Sequence, residues 1–112
     1  MSTIDDRVTA LLASPSVPAL IYALRHREVW PEGFEWDFGR CTNCAMGLTW
    51  KLWEGIKTPL LYTVATNIGL PHEFSREVFF GYNNAYGTDD NREITPEMVA
   101  DELERLTAPA AP

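Results

Sequence analysis

Residues 40–53, RCTNCAMGLTWKLW, decide the fold of this chain. Drawn as a helix at about 100° per residue, the stretch carries two apolar stripes on roughly opposite sides. The first stripe comprises Cys41, Cys44, Ala45, Leu48 and Leu52, and the second comprises Met46, Trp50 and Trp53. The polar surface is limited to Lys51, with Thr49 beside the second stripe. A helix that is apolar on two sides is normally buried, so the pattern predicts a buried central helix over about 42–54.

Helical periodicity on both sides of this stretch predicts the remaining elements. Two apolar patterns with helical spacing precede it, separated by the helix-breaking sequence SPSVP at residues 14–18. Three more follow it, with starts at Thr58-Pro59, Pro71 and Thr95-Pro96. We therefore expect an all-α fold, a compact single-domain orthogonal bundle of five to six short helices. Residues 1–107 form the predicted domain, and 108–112 are predicted to be a disordered tail.

Composition excludes several classes of function. The chain has 112 residues, of which 46% are hydrophobic, and its net charge is −7. No apolar run approaches the length of about 18 residues that a membrane span requires, and the N-terminus, MSTIDDRV, does not resemble a secretory signal. Binding to a phosphate backbone needs a basic face, which an acidic chain does not favour. We expect a cytoplasmic protein with reduced cysteines, no membrane association and no direct nucleic-acid binding.

The acidic residues are concentrated near the C-terminus. From residue 83 onward two arginines face seven acids, namely Asp89, Asp90, Glu93, Glu97, Asp101, Glu102 and Glu104. The structural interpretation is a solvated helix face. The functional interpretation is a surface, including Asp101 and Glu104, that meets a basic partner or imitates nucleic acid.

A second unusual segment lies at residues 29–40, VWPEGFEWDFGR. Aromatic and acidic residues alternate from Phe34 to Phe38, which is the periodicity of a strand, but the chain offers no convincing partner strand. One interpretation is an extended loop that lays its aromatic rings over the central helix. The other is an exposed aromatic patch for docking, with Trp36 its most exposed residue. The candidate interaction residues here are Trp30, Phe34, Trp36 and Phe38.

The two cysteines, Cys41 and Cys44, form the one motif with chemical potential. A C-x-x-C motif at a helix N-terminus favours the thiolate, but no βαβ pattern surrounds it. A zinc site would need both His26 and His72, and their spacing is not that of a zinc finger. The motif also resembles the Cys-x-x-Cys opening of papain-type peptidases, which implies Cys44 as a nucleophile and a histidine elsewhere as base. It lacks the glycine after the first cysteine and the aromatic residue after the second. The remaining interpretation is two reduced cysteines packed as small hydrophobic residues.

We find no glycine-rich phosphate loop, serine elbow or H-E-x-x-H motif, and we predict no cofactor and no metal. The sequence favours a non-enzymatic protein-interaction module: an assembly or adaptor subunit, or a small acidic inhibitor of a larger complex. Its partner would be another protein or a second copy of the chain. The alternative is a thiol-dependent enzyme, a cysteine hydrolase or a C-x-x-C redox protein, that uses Cys44 with Cys41 or His72.

Overall fold

Helices account for the secondary structure of this protein. The computed structural model describes residues 3–40, 43–53, 56, 60–88 and 90–107. The α-helices in these ranges are α1 (Thr3–Leu12), α2 (Val17–Arg25), α3 (Ala45–Leu52), α4 (Leu61–Ile68), α5 (His72–Phe80) and α6 (Pro96–Thr107). Short 3₁₀ helices lie between these α-helices, at Arg27–Val29 after α2 and at Tyr82–Asn84 and Asn91–Glu93 after α5. The described ranges contain no β-strand, so the predicted all-α class is confirmed.

The most extensive helix contact joins α2 to α6. Helix α2 begins at a cap in which the Ser16 hydroxyl accepts a hydrogen bond of 3.1 Å from the backbone N–H of Ala19. The residues of the two helices that are fully buried in the shared core are Ala19, Leu20, Ala23 and Leu24 of α2 and Val99, Ala100 and Leu103 of α6. Alanine at a helix contact lets the two backbones approach closely. The pair α2–α6 is therefore a main element of the core, in addition to the predicted central helix α3.

Helix α3 is buried, as predicted, but it is shorter than the predicted span of about 42–54. It runs from Ala45 to Leu52 with Cys44 as its N-cap, and Cys41 and Thr42 lie outside the described residues. Its first five residues are all buried, and Lys51 is exposed.

The expectation that Thr49 adds polar surface to α3 is wrong. Thr49 is fully buried, and its hydroxyl donates a hydrogen bond of 2.7 Å to the carbonyl of Ala45. A threonine whose hydroxyl bonds to the carbonyl one turn earlier needs no contact with water. It therefore packs in the core like an apolar residue.

Helices α4 and α5 pack against each other through a tight connection. Gly69 ends α4 in the left-handed conformation, at φ 78°, and the N–H of Leu70 donates to the carbonyl of Ala65 at 2.9 Å. The predicted start at Thr58-Pro59 lies outside the described residues. Only three residues separate the two helices, so the end of α4 lies next to the start of α5.

Gly81 ends α5 and brings it close to a loop from the first half of the chain. Its φ is 71°, and a Cβ at this position would lie 3.6 Å from the Phe38 ring and 3.7 Å from the Tyr86 ring. The Phe38 ring thus packs at the end of α5, and it is the positive φ of Gly81, not a lack of space, that favours glycine there.

The described part of the chain is compact, and its helices are short. Its radius of gyration is 13.6 Å, near the value of about 13 Å for a compact chain of this length. None of the described helices is long and apolar enough to cross a membrane. Residues 108–112, the predicted tail, are not among the described residues.

Candidate functional site

Residues 30–38 are here called the aromatic loop, and their four aromatic rings lie in a connected row. The Trp30 ring meets Phe34 edge-on at 5.2 Å between centroids and stacks on Trp36 at 6.2 Å. Trp36 in turn lies 6.4 Å from Phe38, whose ring meets Tyr86 edge-on at 5.6 Å. The four sequence-predicted aromatic residues are thus brought together in one layer against the core.

Both indoles of the aromatic loop are anchored to backbone carbonyls. The Trp30 Nε1–H donates to the Ala23 carbonyl at 2.7 Å, near the end of α2. The Trp36 Nε1–H donates to the Ile94 carbonyl at 2.9 Å, just before α6. The expectation that Trp36 is largely exposed is wrong, because this hydrogen bond and the stacking on Trp30 leave the side chain half-buried. Phe38 is buried outright.

A groove of about 420 Å³ runs beside the aromatic loop. The residues that line it are Glu35, Trp36, Asp37, Phe38, Arg40, Asn43 and Arg92. Its two arginines are already paired, Arg40 with Asp37 at 3.4 Å and Arg92 with Asp90 at 2.9 Å. Two acids and two arginines give the lining no net charge, so the groove has no electrostatic preference for an anion or a cation.

The acidic residues of α6 are paired with arginines instead of forming an open negative field. Arg25, on α2, donates to Asp101 at 2.8 Å and to Glu104 at 3.0 Å, and these two hydrogen bonds raise the pKa of its guanidinium. Glu102, which is buried, accepts two hydrogen bonds from Arg105. Asp101 and Glu104, the predicted interaction residues, thus hold α2 against α6.

The structure places Cys44 in the core. It is 1% exposed and serves as the N-cap of α3, while Cys41 is outside the described residues. His72 lies on the surface at the first residue of α5, where its Nε2 shares a hydrogen bond of 2.9 Å with the Thr66 hydroxyl. A thiol that reacts with a substrate needs access to it, which this burial denies to Cys44. Among the described side chains, no group of three or more His, Cys, Asp or Glu residues is placed to hold a metal ion.

A different set of side chains, which the sequence pattern did not single out, carries the most exposed large apolar surface among the described residues. They are Leu60 (63% exposed), Tyr62 (46%), Phe80 (38%) and Tyr82 (54%). Together with His72 and Arg76 they form what we call the α4–α5 surface. Phe80 is exposed, whereas its neighbour Phe79 takes the core position at 1% exposure.

Helical spacing and ring contacts relate most members of the α4–α5 surface to one face of α5. His72, Arg76 and Phe80 recur every four residues and so share that face. The Tyr62 ring lies 4.9 Å from the His72 ring, and the Tyr62 hydroxyl accepts a hydrogen bond of 2.9 Å from Arg76 Nη2. At the other end, the Phe80 and Tyr82 rings are 5.9 Å apart. The four-residue spacing and the tyrosine after Gly81 are the signals by which the sequence could have revealed this face.

Arg76 differs from most arginines of the chain in its partners. Five arginines form ion pairs with carboxylates: Arg25, Arg27, Arg40, Arg92 and Arg105. Arg76 forms no ion pair with any described carboxylate, and its hydrogen bond goes to a neutral phenol. Among the described residues Arg76 therefore has no carboxylate within ion-pair distance, although Glu73 and Glu77 lie on the same helix.

Comparisons with known proteins give no relatives for this chain. No family model, no curated protein and no solved structure matches it. Its function has to be inferred from its own surfaces.

Proposed function

We propose that the protein works by binding another protein, as an assembly or adaptor subunit or as a small acidic inhibitor, and that the α4–α5 surface is its binding face. The single observation that carries the proposal is the exposure of Leu60, Tyr62, Phe80 and Tyr82 on α4, α5 and the residues that adjoin these two helices. Aromatic residues are enriched at the cores of protein interfaces, and contiguous exposed apolar patches commonly mark such interfaces.

The chemistry of this face suits an interface. Tyrosine brings a large contact area with few rotatable bonds and a hydroxyl that bonds at the rim, while arginine and tyrosine are both common among the residues that dominate binding energy. Tyr62 and Arg76 are already joined by a hydrogen bond. The long, rotamer-rich side chain of Arg76 is thus partly ordered before a partner arrives, which lowers the entropic cost of association.

Two other surfaces support the proposal less well. In the aromatic loop, the two indole N–H groups are used within the chain, and Phe38 is buried. On α6, Asp101 and Glu104 already pair with Arg25. Thiol chemistry at Cys44 has less support still, because that side chain is buried at the start of α3.

A pair of double variants tests the proposed face. Tyr62→Ser with Tyr82→Ser removes two rings from the α4–α5 surface, and both positions are exposed, so the thermal melt should stay close to that of the wild type. The control, Glu32→Ser with Glu35→Ser, changes two exposed positions of the aromatic loop. Quantitative affinity purification from cells should recover the same partner with the wild type and the control, and at least tenfold less with the tyrosine variant. Equal recovery with all three proteins would contradict the proposed face.

A further inference from the structure

We propose, resting on the function proposed above, that the partner presents a carboxylate beside an apolar side chain, and that Arg76 binds that carboxylate. The occupant we infer is thus an acidic, partly apolar segment of another protein. Three properties of the α4–α5 surface carry the inference: the state of Arg76, the location of its apolar neighbours and the position of the nearby acids.

The Arg76 guanidinium has N–H donors that can bind an anion. It is exposed, and of its five N–H donors one is directed to the Tyr62 hydroxyl. That hydrogen bond orients the planar group and leaves other N–H donors for a ligand. Two parallel hydrogen bonds from arginine to one carboxylate are among the strong charge-assisted contacts that proteins form.

The acids on the same helix do not take up this charge. Glu73 lies one turn before Arg76 and is exposed, yet the two form no ion pair. The raised pKa of Arg105 on α6 is caused mainly by its hydrogen bonds to Glu102, and the negative charge of Glu77 makes a smaller contribution, so Glu77 is near enough to α6 to act on Arg105. A carboxylate brought by a partner would therefore meet an arginine that is not already engaged by these neighbours.

Apolar groups flank Arg76 on both sides. Phe80 lies four residues further along α5, about 6 Å along the helix axis, and Tyr82 lies next to it. In the opposite direction lie His72 and Tyr62. A partner segment that matches this order carries an acidic side chain within about one helical turn of an apolar one. The acid would give orientation and the apolar residue would supply buried area.

The charge of the whole chain separates this occupant from two others. A net charge of −7 repels a polyanion such as nucleic acid, whereas a segment with one or two acids can be accepted at a single local arginine. A second copy of the chain brings the same overall charge and places an Arg76 against a face that already holds one. We therefore favour a different protein over a self-association contact.

A peptide-display selection on the immobilised full-length protein tests the inference. Random 16-residue peptides that bind are sequenced and synthesised, and their affinities are measured by fluorescence anisotropy. We expect the bound peptides to share an acidic residue three or four positions from an aromatic or aliphatic one. Arg76→Glu and Tyr82→Ser should each weaken binding at least tenfold. The matched control Arg92→Glu, a paired arginine elsewhere on the surface, should change it less than twofold. Replacing the peptide's acid by lysine should restore part of the affinity for Arg76→Glu.

Each other outcome overturns a definite part of the account. Peptides that lose affinity with Tyr82→Ser but not with Arg76→Glu would overturn the carboxylate inference and leave the proposed face in place. If no peptide binds, or if binding is insensitive to both changes, the inference and the proposed face both fail. Sedimentation of the protein alone should show a monomer. Self-association that Tyr82→Ser abolishes would identify a second copy as the occupant and overturn the acidic partner.

Discussion

At the scale of single residues, the indole N–H groups of Trp30 and Trp36 hold the aromatic loop to the helical core. Each donates to a backbone carbonyl, one near the end of α2 and the other just before α6. Buried polar groups that lose such a partner cost about 1–3 kcal/mol, so these hydrogen bonds define where the loop lies. The alternation of aromatic and acidic residues had indicated an exposed Trp36, and the hydrogen bond to Ile94 explains why that residue turns inward.

We predict that truncating Trp36 destabilises the fold. Trp36→Ala should lower the free energy of unfolding by about 2–4 kcal/mol, since it removes a half-buried ring and leaves the Ile94 carbonyl without its donor. Trp36→Phe, which keeps a ring, should cost about 1–2 kcal/mol. Urea denaturation of the two variants measures both values. A Trp36→Ala protein as stable as the wild type would show that the loop does not cover the core.

Tyr86 makes the stability sensitive to alkaline pH. Its hydroxyl donates to the Val78 carbonyl, and burial, with a further contribution from the charge of Glu102, raises its pKa well above the ordinary value of 10. A group whose pKa is higher in the folded than in the unfolded protein stabilises the native state fully at pH values below its unfolded pKa. This stabilisation is lost progressively as the pH rises from the unfolded pKa through the folded pKa. The free energy of unfolding should therefore fall above pH of about 10, by at most about 1.4 kcal/mol per pH unit.

The matched variant for this prediction is Tyr86→Phe, which has no phenol to titrate. It should be less stable than the wild type at pH 7 because it lacks the hydrogen bond to Val78. Above pH 10 the difference in unfolding free energy between the two proteins should shrink. Urea titrations at intervals from pH 7 to pH 11 measure it. A difference that stays constant over this range would contradict the raised pKa.

At the scale of the helices, the core depends on α3 as well as on the α2–α6 pair. Leu48 of α3 and Leu103 of α6 are both fully buried in the same core. Leu48→Ala and Leu103→Ala should each cost about 2–5 kcal/mol of unfolding free energy. Lys51→Ala should cost no more than about 1 kcal/mol, because Lys51 is exposed and its main contact is a cation–π interaction with Phe34 at 5.2 Å. Chemical denaturation of the three variants decides this, and a costly Lys51→Ala with a neutral Leu48→Ala would reverse the assigned faces of α3.

The helical class was predictable from the sequence because its signals are local. Spacings of three and four residues, the break at residues 14–18 and the glycine after α4 each act within one or two turns. The predicted exposure of Thr49 failed for a physical reason, since its hydroxyl finds a partner in its own helix and the side chain is buried. Likewise, of the adjacent Phe79 and Phe80 only one can face the core, and the packing of α4 and α6 around α5 decides which.

At the scale of the whole molecule, ion pairs engage five arginines and all four acids of α6, while the α4–α5 surface leaves both apolar area and Arg76 for a partner. Ion pairs join α2 to α6 and occupy the acids that the sequence had indicated as a binding face. The sequence could have indicated the part of this surface on α5, through its four-residue spacing, but not the whole surface, because it combines α4, α5 and the residue after Gly81. Local periodicity contains no information on how these three parts meet.

The most direct test of this account is site-specific photo-crosslinking in cells. A photoreactive phenylalanine derivative is placed at Tyr82, at Tyr62 or, as a control, at the exposed Glu32 of the aromatic loop. We expect one discrete protein adduct, of the same mass, from the Tyr82 and Tyr62 positions and no such adduct from the Glu32 position. The adduct from the Tyr82 position should be lost when Arg76→Glu is introduced into the same protein. An adduct that forms from Glu32 alone, or no adduct from either tyrosine position, would contradict the claim that the α4–α5 surface binds a partner.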